Sequence, residues 1–311
     1  MKRIACAVLL MAFACGGCSG PAAKGPQPSP LSQQAYQLRE KGHRALTIGD
    51  LGRASTIFKE VRRVAEGLDD RRLVADTLND LGGIAGRQGH PVDALALHQK
   101  ALGIARDLGD DALTAATFAY LGQAAQLLGD PEAAAGFYRQ ALPLATARKD
   151  RKTEAVLLNN LGLIQQKQGQ LDEAQQSFRK AMLLNTELGE RRSLASNLSN
   201  LGSTLEVKGQ LNEARQHYEQ ALNLDKEIGD PAAIAGDLGR LGQLAEAENK
   251  TEVAKEYYER SYRAYTAIKN TVQAAETLKR LSRLARQDGS EDLARNYEAR
   301  LKALLASPVS K

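Results

Sequence analysis

Small and apolar residues recur at steps of three and four along most of the chain, and glycine interrupts them at regular intervals. Between residues 155 and 190, a first stripe includes Leu158 and Leu161, and the pair Gly169-Gln170 ends it. A second stripe then runs through Leu171, Ala174, Phe178, Ala181 and Leu184. This spacing is typical of amphipathic helices. It predicts two antiparallel helices, each of about 16 residues and about 24 Å in length, joined by a tight turn.

The same pattern of forty residues occurs seven times, without an insertion or a deletion between copies. The first position of the repeat is occupied by Ala35, Ala75, Ala115, Ala155, Ala195, Ala235 and Ala275. The twentieth is occupied by Ala54, Ala94, Ala134, Ala174, Ala214, Ala254 and Ala294. A fixed period of this length is typical of a solenoid, in which each unit packs only on its neighbours. The predicted fold class is therefore all-α, an α-solenoid of seven helix-turn-helix hairpins.

Specific residue types mark the ends of the predicted helices. The turn within each unit carries Gly49, Gly89, Gly129, Gly169, Gly209, Asn249 and Gly289. Glycine adopts the left-handed conformation without steric cost, and asparagine is its usual substitute, so these residues are predicted to end the first helix. Pro91 and Pro131 then predict the start of a second helix. A glycine is also repeated within the first helix, opposite the second alanine series, at Gly82, Gly122, Gly162, Gly202 and Gly242. These small residues predict a close approach of the two helices.

The first thirty residues differ from the repeats. Lys2 and Arg3 precede an uncharged apolar run at residues 4–14, which suits a secretory signal and is shorter than the roughly twenty residues that span a bilayer. The proline- and glycine-rich segment that follows predicts an extended tether. We therefore divide the chain into a signal peptide at 1–17, a tether at 18–33 and the helical array at 34–311. All three cysteines lie before residue 19, so the array is predicted to contain no disulfide.

The cysteines of the leader resemble the lipobox of bacterial lipoproteins, in which the cysteine thiol carries a lipid. Ala12-Phe13-Ala14 precedes Cys15, and Gly16-Gly17 precedes Cys18, so either cysteine fits. The resemblance implies an exported protein that is lipid-anchored to a cell-envelope membrane, on the periplasmic face of the outer membrane in a Gram-negative cell. The alternative is an ordinary leader that is cleaved near Gly20.

Composition argues against several function classes. Aromatic residues make up 5% of the chain, tryptophan is absent, and the net charge of +5 is too small to indicate nucleic acid. The four histidines are scattered among different units, and no nucleophile, phosphate-loop or paired-carboxylate motif is present. The sequence therefore predicts a protein that is not an enzyme and that needs no metal or cofactor.

The repeat resembles the tetratricopeptide repeat from residue 35 to about residue 306. The residues that carry the resemblance are Leu161, Gly162, Ala174, Phe178 and Ala181, and in the next unit Leu201, Gly202, Ala214, Tyr218 and Ala221. The family implies a right-handed superhelix whose first helices line a concave groove. The last unit departs from the pattern, with Ser282 for glycine, Glu298 for the aromatic residue and Leu301 for alanine. We interpret it as a cap.

The resemblance implies a peptide-binding stripe on the first helices, near positions two, five, six, nine and thirteen of each unit. The candidates are Asn79, Asp80, Tyr120, Gln123, Asn159, Asn160, Asn200, Ser203, Arg240, Lys279, Arg280 and Arg283. By resemblance, the asparagine amides would hydrogen-bond the backbone of an extended peptide. The alternative is that these are solvated polar positions copied by repeat duplication.

The charge of the predicted groove changes sign along its length. Asp76 and Asp80 lie at one end, whereas the other end carries Arg240, Lys279, Arg280, Arg283 and Arg286. Asn200 and Arg240 match half of the carboxylate clamp of some family members, but Asn159 and Leu163 occupy the remaining places. We therefore expect a looser preference for an acidic segment at the C-terminal end, because arginine pairs well with carboxylates. The alternative is a solvated basic face on the cap.

Together these features predict a membrane-anchored scaffold that holds a peptide segment or helix of a partner protein in its groove. Family members with lipid anchors imply a role in envelope, pilus or secretion assembly. The alternative is a soluble regulator that senses a peptide. A carbohydrate-handling accessory protein is disfavoured, because the chain has no tryptophan for stacking on sugars.

Overall fold

The computed structural model describes residues 29–306, which form fourteen α-helices and no strand. In chain order the helices are α1 Pro30–Thr47, α2 Leu51–Gly67, α3 Arg71–Arg87, α4 Pro91–Asp107, α5 Asp111–Leu127, α6 Pro131–Ala147, α7 Arg151–Lys167, α8 Leu171–Leu188, α9 Arg191–Val207, α10 Leu211–Ile228, α11 Pro231–Ala247, α12 Thr251–Ala267, α13 Thr271–Gln287 and α14 Glu291–Ala306. Each odd-numbered helix forms a hairpin with the helix that follows it. We number these seven hairpins as units 1 to 7. The predicted fold class is confirmed.

The structure differs from the sequence prediction at the start of the array. Pro30 is the first residue of α1 and Ser29 caps that helix, so residues 30–33, which we assigned to the tether, are helical. Proline fits here because the first helical position needs no N–H donor. The signal peptide, Cys15 and Cys18 lie outside the described residues.

The turns within the units have the predicted conformation. All the glycines at this position have positive φ angles, and Asn249 takes the same conformation with φ 58°. Pro91 and Pro131 begin α4 and α6. Asp110 and Asp230 cap the helices that follow them by accepting backbone N–H bonds, which satisfies donors that an isolated helix end leaves free.

A ring-on-glycine contact closes most of the hairpins. In unit 3, a Cβ atom added to Gly122 would lie 2.4 Å from the ring of Tyr138, so the ring occupies the space that any larger side chain would need. Gly162 faces Phe178 in the same way, and Gly82 faces His98. His98 is buried, as expected of a residue that replaces the recurrent aromatic one. A ring from the second helix thus lies against each of these glycines, where we expected the alanine series.

The hydroxyl groups of the buried tyrosines are anchored within their own units. The Tyr138 hydroxyl donates to Gln126 at 2.9 Å, and Tyr218 donates to Glu206 at 2.7 Å. Tyr258 makes the equivalent bond to Glu246 at 3.0 Å. In each pair the acceptor lies twelve residues before the tyrosine. These bonds satisfy polar groups at the edge of the core, and a buried hydroxyl without a partner would be costly.

Unit 7 replaces the ring-on-glycine contact with a polar one. Ser282 occupies the glycine position and donates to Glu298, which occupies the ring position, at 3.0 Å. Arg286 also binds Glu298 at 2.5 Å. The two residues that depart from the repeat pattern therefore bind each other, and a hydrogen bond replaces the contact between glycine and ring.

The first helices of neighbouring units touch one another, as α3 and α5 do, and also α7 and α9, and α9 and α11. This places the odd-numbered helices on the inner, concave side of the array. The even-numbered helices lie on the outer side. The core consists of clusters of leucine, alanine and aromatic side chains between the two layers.

Candidate functional site

The candidate groove is the concave surface formed by the odd-numbered helices. Its most distinct feature is a cavity of about 260 Å³ between α3 and α5. Gly83 and Gly86 form one wall, and Tyr120, Gln123 and Leu127 form the other. The cavity is open on this side because both glycines occupy positions where the other units carry larger side chains. At the position of Gly83, the ninth of the repeat, the other units carry histidine, glutamine, leucine, serine or arginine. Tyr120 and Gln123 were predicted groove residues, and both are exposed here.

The floor of this cavity is held rigidly. The imidazole of His98 stacks on Tyr120, with ring centres 5.3 Å apart and planes at 11°. His98 Nδ1 hydrogen-bonds Oδ1 of Asn79 at 2.9 Å, and Nδ2 of Asn79 donates to the Thr117 hydroxyl at 2.8 Å. Burial lowers the pKa of His98 to about 4, so the ring is uncharged at neutral pH. The result is an uncharged aromatic surface beneath an opening in the groove.

Asn79 therefore differs from the sequence prediction. We expected it on the exposed stripe, but only 4% of it is exposed and its amide is used in the bonds to His98 and Thr117. Asn79 is at the fifth position of its unit, where neighbouring first helices meet, so its side chain lies in the contact between α3 and α5. Asn79 supports the cavity from below and is not free to bind a peptide backbone.

The carboxylates at the acidic end of the predicted groove are already paired with a shared arginine. Asp80 accepts a hydrogen bond from Nε of Arg39 at 2.7 Å and lies 3.7 Å from His43. Asp76 lies 3.6 Å from the same arginine. These contacts join α1 to α3, so Asp80 contributes to the packing of units 1 and 2 and presents little free negative charge.

The predicted asparagines of units 4 and 5 form one connected cluster. Oδ1 of Asn159 accepts from Asn197 at 2.8 Å and from Asn200 at 3.0 Å. Asn197 also accepts from Asn185 at 2.6 Å, and this bond links the cluster to the second helix of unit 4. Asn160 is half-buried beside this cluster and lies near the Tyr138 hydroxyl. Ser203, another predicted residue, accepts from Gln166 at 3.0 Å. The structure thus brings Asn159, Asn160 and Asn200 together at the centre of the groove.

The basic end of the groove is largely paired. Arg240 lies 3.5 Å from Asp237, Lys279 lies 3.6 Å from Glu276, and Arg283 lies 2.5 Å from Glu246. Arg280 lies beside the Tyr258 hydroxyl. A cavity of about 370 Å³ opens beside this group and is lined by Lys279, Arg283 and Arg286, with Glu298 as its carboxylate. The excess of positive charge that the sequence predicted is present, but carboxylates of the same units reduce it.

The sequence reasoning missed a pair of buried aspartates. Asp225 at the end of α10 and Asp237 on α11 are 4% and 2% exposed, and their carboxyl groups lie close enough to interact with each other. Burial and then the neighbouring Asp237 raise the pKa of Asp225 to about 7, and burial also raises the pKa of Asp237. Ser199 donates to Asp237 from the preceding first helix. Asp237 is the one charged residue at the third position, where the other units carry glutamine, threonine, leucine or asparagine, and this is the signal that would have revealed the pair.

Residues 29–306 lack two further features, a metal-binding cluster and a membrane-spanning helix. No group of three or more histidine, cysteine, aspartate or glutamate side chains is arranged to hold a metal ion there. In the same part of the chain, none of the helices combines the length and the apolar character needed to cross a bilayer.

Solved structures share this fold at low sequence identity. BtubC from P. vanneervenii is 20% identical with a TM-score of 0.61, over 78% of this chain and 93% of that one. The Rap conjugation gene regulator of plasmid pLS20, in complex with the Phr* peptide, is 16% identical with a TM-score of 0.62, over 88% and 74%. A signal transduction ATPase from Pyrococcus horikoshii with a tetratricopeptide repeat sensor is 13% identical with a TM-score of 0.74, over 87% and 42%.

The family is shown by the sequence itself. Comparison with curated proteins gives no match. Three models of the tetratricopeptide repeat match residues 92–147 and 153–227, residues 74–108 and residues 238–268, which together make up more than half of the chain. The matches include the units that form the cavity between α3 and α5 and the asparagine cluster. The chain therefore belongs to the tetratricopeptide repeat family.

Proposed function

We propose that this protein is a scaffold that binds a peptide segment or helix of a partner protein in its concave groove. The observation that carries the proposal is the cavity between α3 and α5, where Gly83 and Gly86 open the groove above the rings of His98 and Tyr120. An apolar side chain of the partner would enter this cavity. Buried apolar anchors supply much of the binding energy at protein interfaces.

The rest of the groove offers polar contacts to the same partner. The half-buried amides of Asn160 and Asn200 lie at its centre, and their donor and acceptor groups suit a peptide backbone. Lys279, Arg280 and Arg283 would favour an acidic segment at the C-terminal end, although Glu246 and Glu276 limit that preference. The Rap regulator that shares this fold is itself in complex with a peptide, which agrees with such a use of the groove.

Exchange of one glycine tests the groove directly. Glutamine at Gly83 would reproduce the residue of units 3 and 6, and a Cβ atom there meets nothing within 4 Å, so the variant should fold normally. The added side chain would fill the cavity. We expect peptides selected on the wild-type protein from a random display library to bind Gly83→Gln about tenfold more weakly, the loss of one modest anchor.

Matched variants separate a specific effect from a general one. Gly103→Gln adds the same side chain to an exposed, open position on α4, outside the groove, and should leave the affinity unchanged. The pairs Asn160→Ala with Asn200→Ala and Arg280→Glu with Arg283→Glu test the central and basic parts. Affinity that is unaffected by Gly83→Gln and by both pairs would move the interface to the outer helices and contradict the proposal.

The same proposal includes a lipid anchor at Cys15 or Cys18, which would hold the array at an envelope membrane during envelope, pilus or secretion assembly. We expect the full-length chain to incorporate labelled palmitate in a bacterial host, and globomycin to block its maturation. Cys15→Ser and Cys18→Ser would identify the modified residue, with Cys6→Ser as the control. Unlabelled protein would contradict the anchor and favour the soluble peptide-sensing regulator, while leaving the groove proposal standing.

A further inference from the structure

The outer side of the array contains a second cavity, of about 540 Å³, between α2 and α4. Its floor is the outward face of α3, with Ile84 in the middle, and Leu97 of α4 forms an apolar wall. Lys59 and Arg62 line it from α2, and Lys100 lines it from α4. This cavity lies on the opposite face of α3 from the groove, and the peptide-binding proposal makes no use of it.

The cavity exists because Arg62 breaks the repeat pattern. At the same position, the twenty-eighth of the repeat, units 2 to 6 carry Leu102, Leu142, Met182, Leu222 and Tyr262. These apolar side chains are buried or half-buried in the seam where one unit packs on the next. Unit 1 instead places a guanidinium group in the apolar seam, and the space beside it stays open.

The charges around this cavity are not balanced. Nε of Arg62 is buried and has no hydrogen-bond partner, and its nearest carboxylate is that of Glu66, one turn along the same helix, at 3.3 Å. Lys59 and Lys100 take part in none of the ion pairs found between residues 29 and 306. Asp93 is the one carboxylate among the lining residues. Three cations thus lie beside two carboxylates, Asp93 in the lining and Glu66 next to Arg62, and a buried donor without a hydrogen-bond acceptor is costly.

We propose that this cavity binds a small organic anion, with a carboxylate or phosphate head on an apolar body. The head would accept hydrogen bonds from Arg62, whose planar guanidinium suits both groups, and would lie between Lys59 and Lys100. The body would pack on Ile84 and Leu97. The volume of the cavity is in the range of small-molecule sites.

Calorimetric titration of the wild-type protein with decanoate and with decyl phosphate, each below its micelle concentration, tests this site. We expect saturable binding at one site per chain by at least one of the two probes, and the comparison identifies the preferred head group. Decanol has the same apolar body without charge, and we expect it to bind about tenfold more weakly or not at all, because it lacks the charge-assisted bonds.

Arg62→Leu supplies the decisive variant, since leucine is the residue of units 2, 3 and 5 and should pack into the seam. We expect it to weaken binding of the charged probe about tenfold or more, and Lys100→Gln to weaken it several-fold. Arg179→Leu removes an exposed arginine from α8 and should change nothing. Absence of saturable binding by both charged probes would overturn the proposal. Unchanged binding to Arg62→Leu, or decanol binding as tight as that of the charged probes, would overturn it equally.

Discussion

Replacement of Phe178 by alanine is expected to lower the free energy of unfolding by about 3–5 kcal/mol, the usual cost of removing a buried aromatic ring. The ring is completely buried, and it fills the space above Gly162. The loss should also affect neighbours, because the stability of a solenoid depends on contacts between adjacent units. Urea denaturation followed by circular dichroism measures the change.

An exposed leucine on the same helix provides the control. Leu183 lies on α8 and is 61% exposed, so Leu183→Ala should change the free energy of unfolding by less than about 0.5 kcal/mol. Equal effects of Phe178→Ala and Leu183→Ala would mean that the ring-on-glycine contact does not hold the hairpin together.

Asparagine at position 225 is expected to stabilise the protein at pH 8 by about 1–3 kcal/mol, the size of the penalty for one unsatisfied buried polar group. Oδ2 of Asp237 is buried and has no hydrogen-bond partner among the described residues, and Asp225 adds a second carboxyl group beside it. One repeat earlier, the same two positions carry Asn185 and Asn197. There Nδ2 of Asn185 donates a hydrogen bond to Oδ1 of Asn197 at 2.6 Å. Asp225→Asn would give Asp237 an equivalent N–H donor.

The pH dependence gives the sign of this effect. The pKa of Asp225 is raised to about 7 in the folded state, so the folded protein holds a proton that the unfolded chain releases near pH 4. The wild-type protein should therefore lose stability between about pH 4 and pH 7 and change little from this source above pH 7. Asp225→Asn should show a flatter curve.

Thermal unfolding at pH 5 and pH 8 measures both expectations. Asp292→Asn is the control, because the Asp292 side chain is 99% exposed and contacts only Arg295 of its own helix. Subtracting the stability change of Asp292→Asn from that of Asp225→Asn removes the contribution of the other carboxylates. A loss of stability for Asp225→Asn at pH 8 would show that the buried pair is stabilising in its ionised form.

The sequence predicts the fold well because each local signal repeats seven times. The glycine or asparagine that ends each first helix has the expected positive φ angle, even in unit 6, where Asn249 replaces glycine. The repeated glycines do face the second helix of their own unit, although a ring lies against them, as Tyr138 does against Gly122, where we expected the alanine series. Such features depend on contacts within one hairpin, and the period fixes those contacts.

The candidate site is less predictable because it depends on contacts between units. Asn79 and Asn159 occupy equivalent positions, yet Asn79 is buried beneath His98 whereas Asn159 bonds Asn197 and Asn200 on the next first helix. Which environment forms depends on residues forty positions away. The groove cavity depends instead on missing side chains, at Gly83 and Gly86, and an alignment of the units with one another would have shown it.

The ring-on-glycine contact has a consequence for how such a chain changes over evolutionary time. Each ring, such as Phe178, closes on the glycine of its own hairpin, so duplication or deletion of a whole forty-residue block leaves every remaining ring with its partner. Asp225 with Asp237, and Gly83 with Tyr120, lie in different blocks and would be separated by the same event. The number of units can thus change without loss of these contacts. Selection can act instead on the order of the units, because unit 2 must precede unit 3 and unit 5 must precede unit 6 for the contacts between them to form.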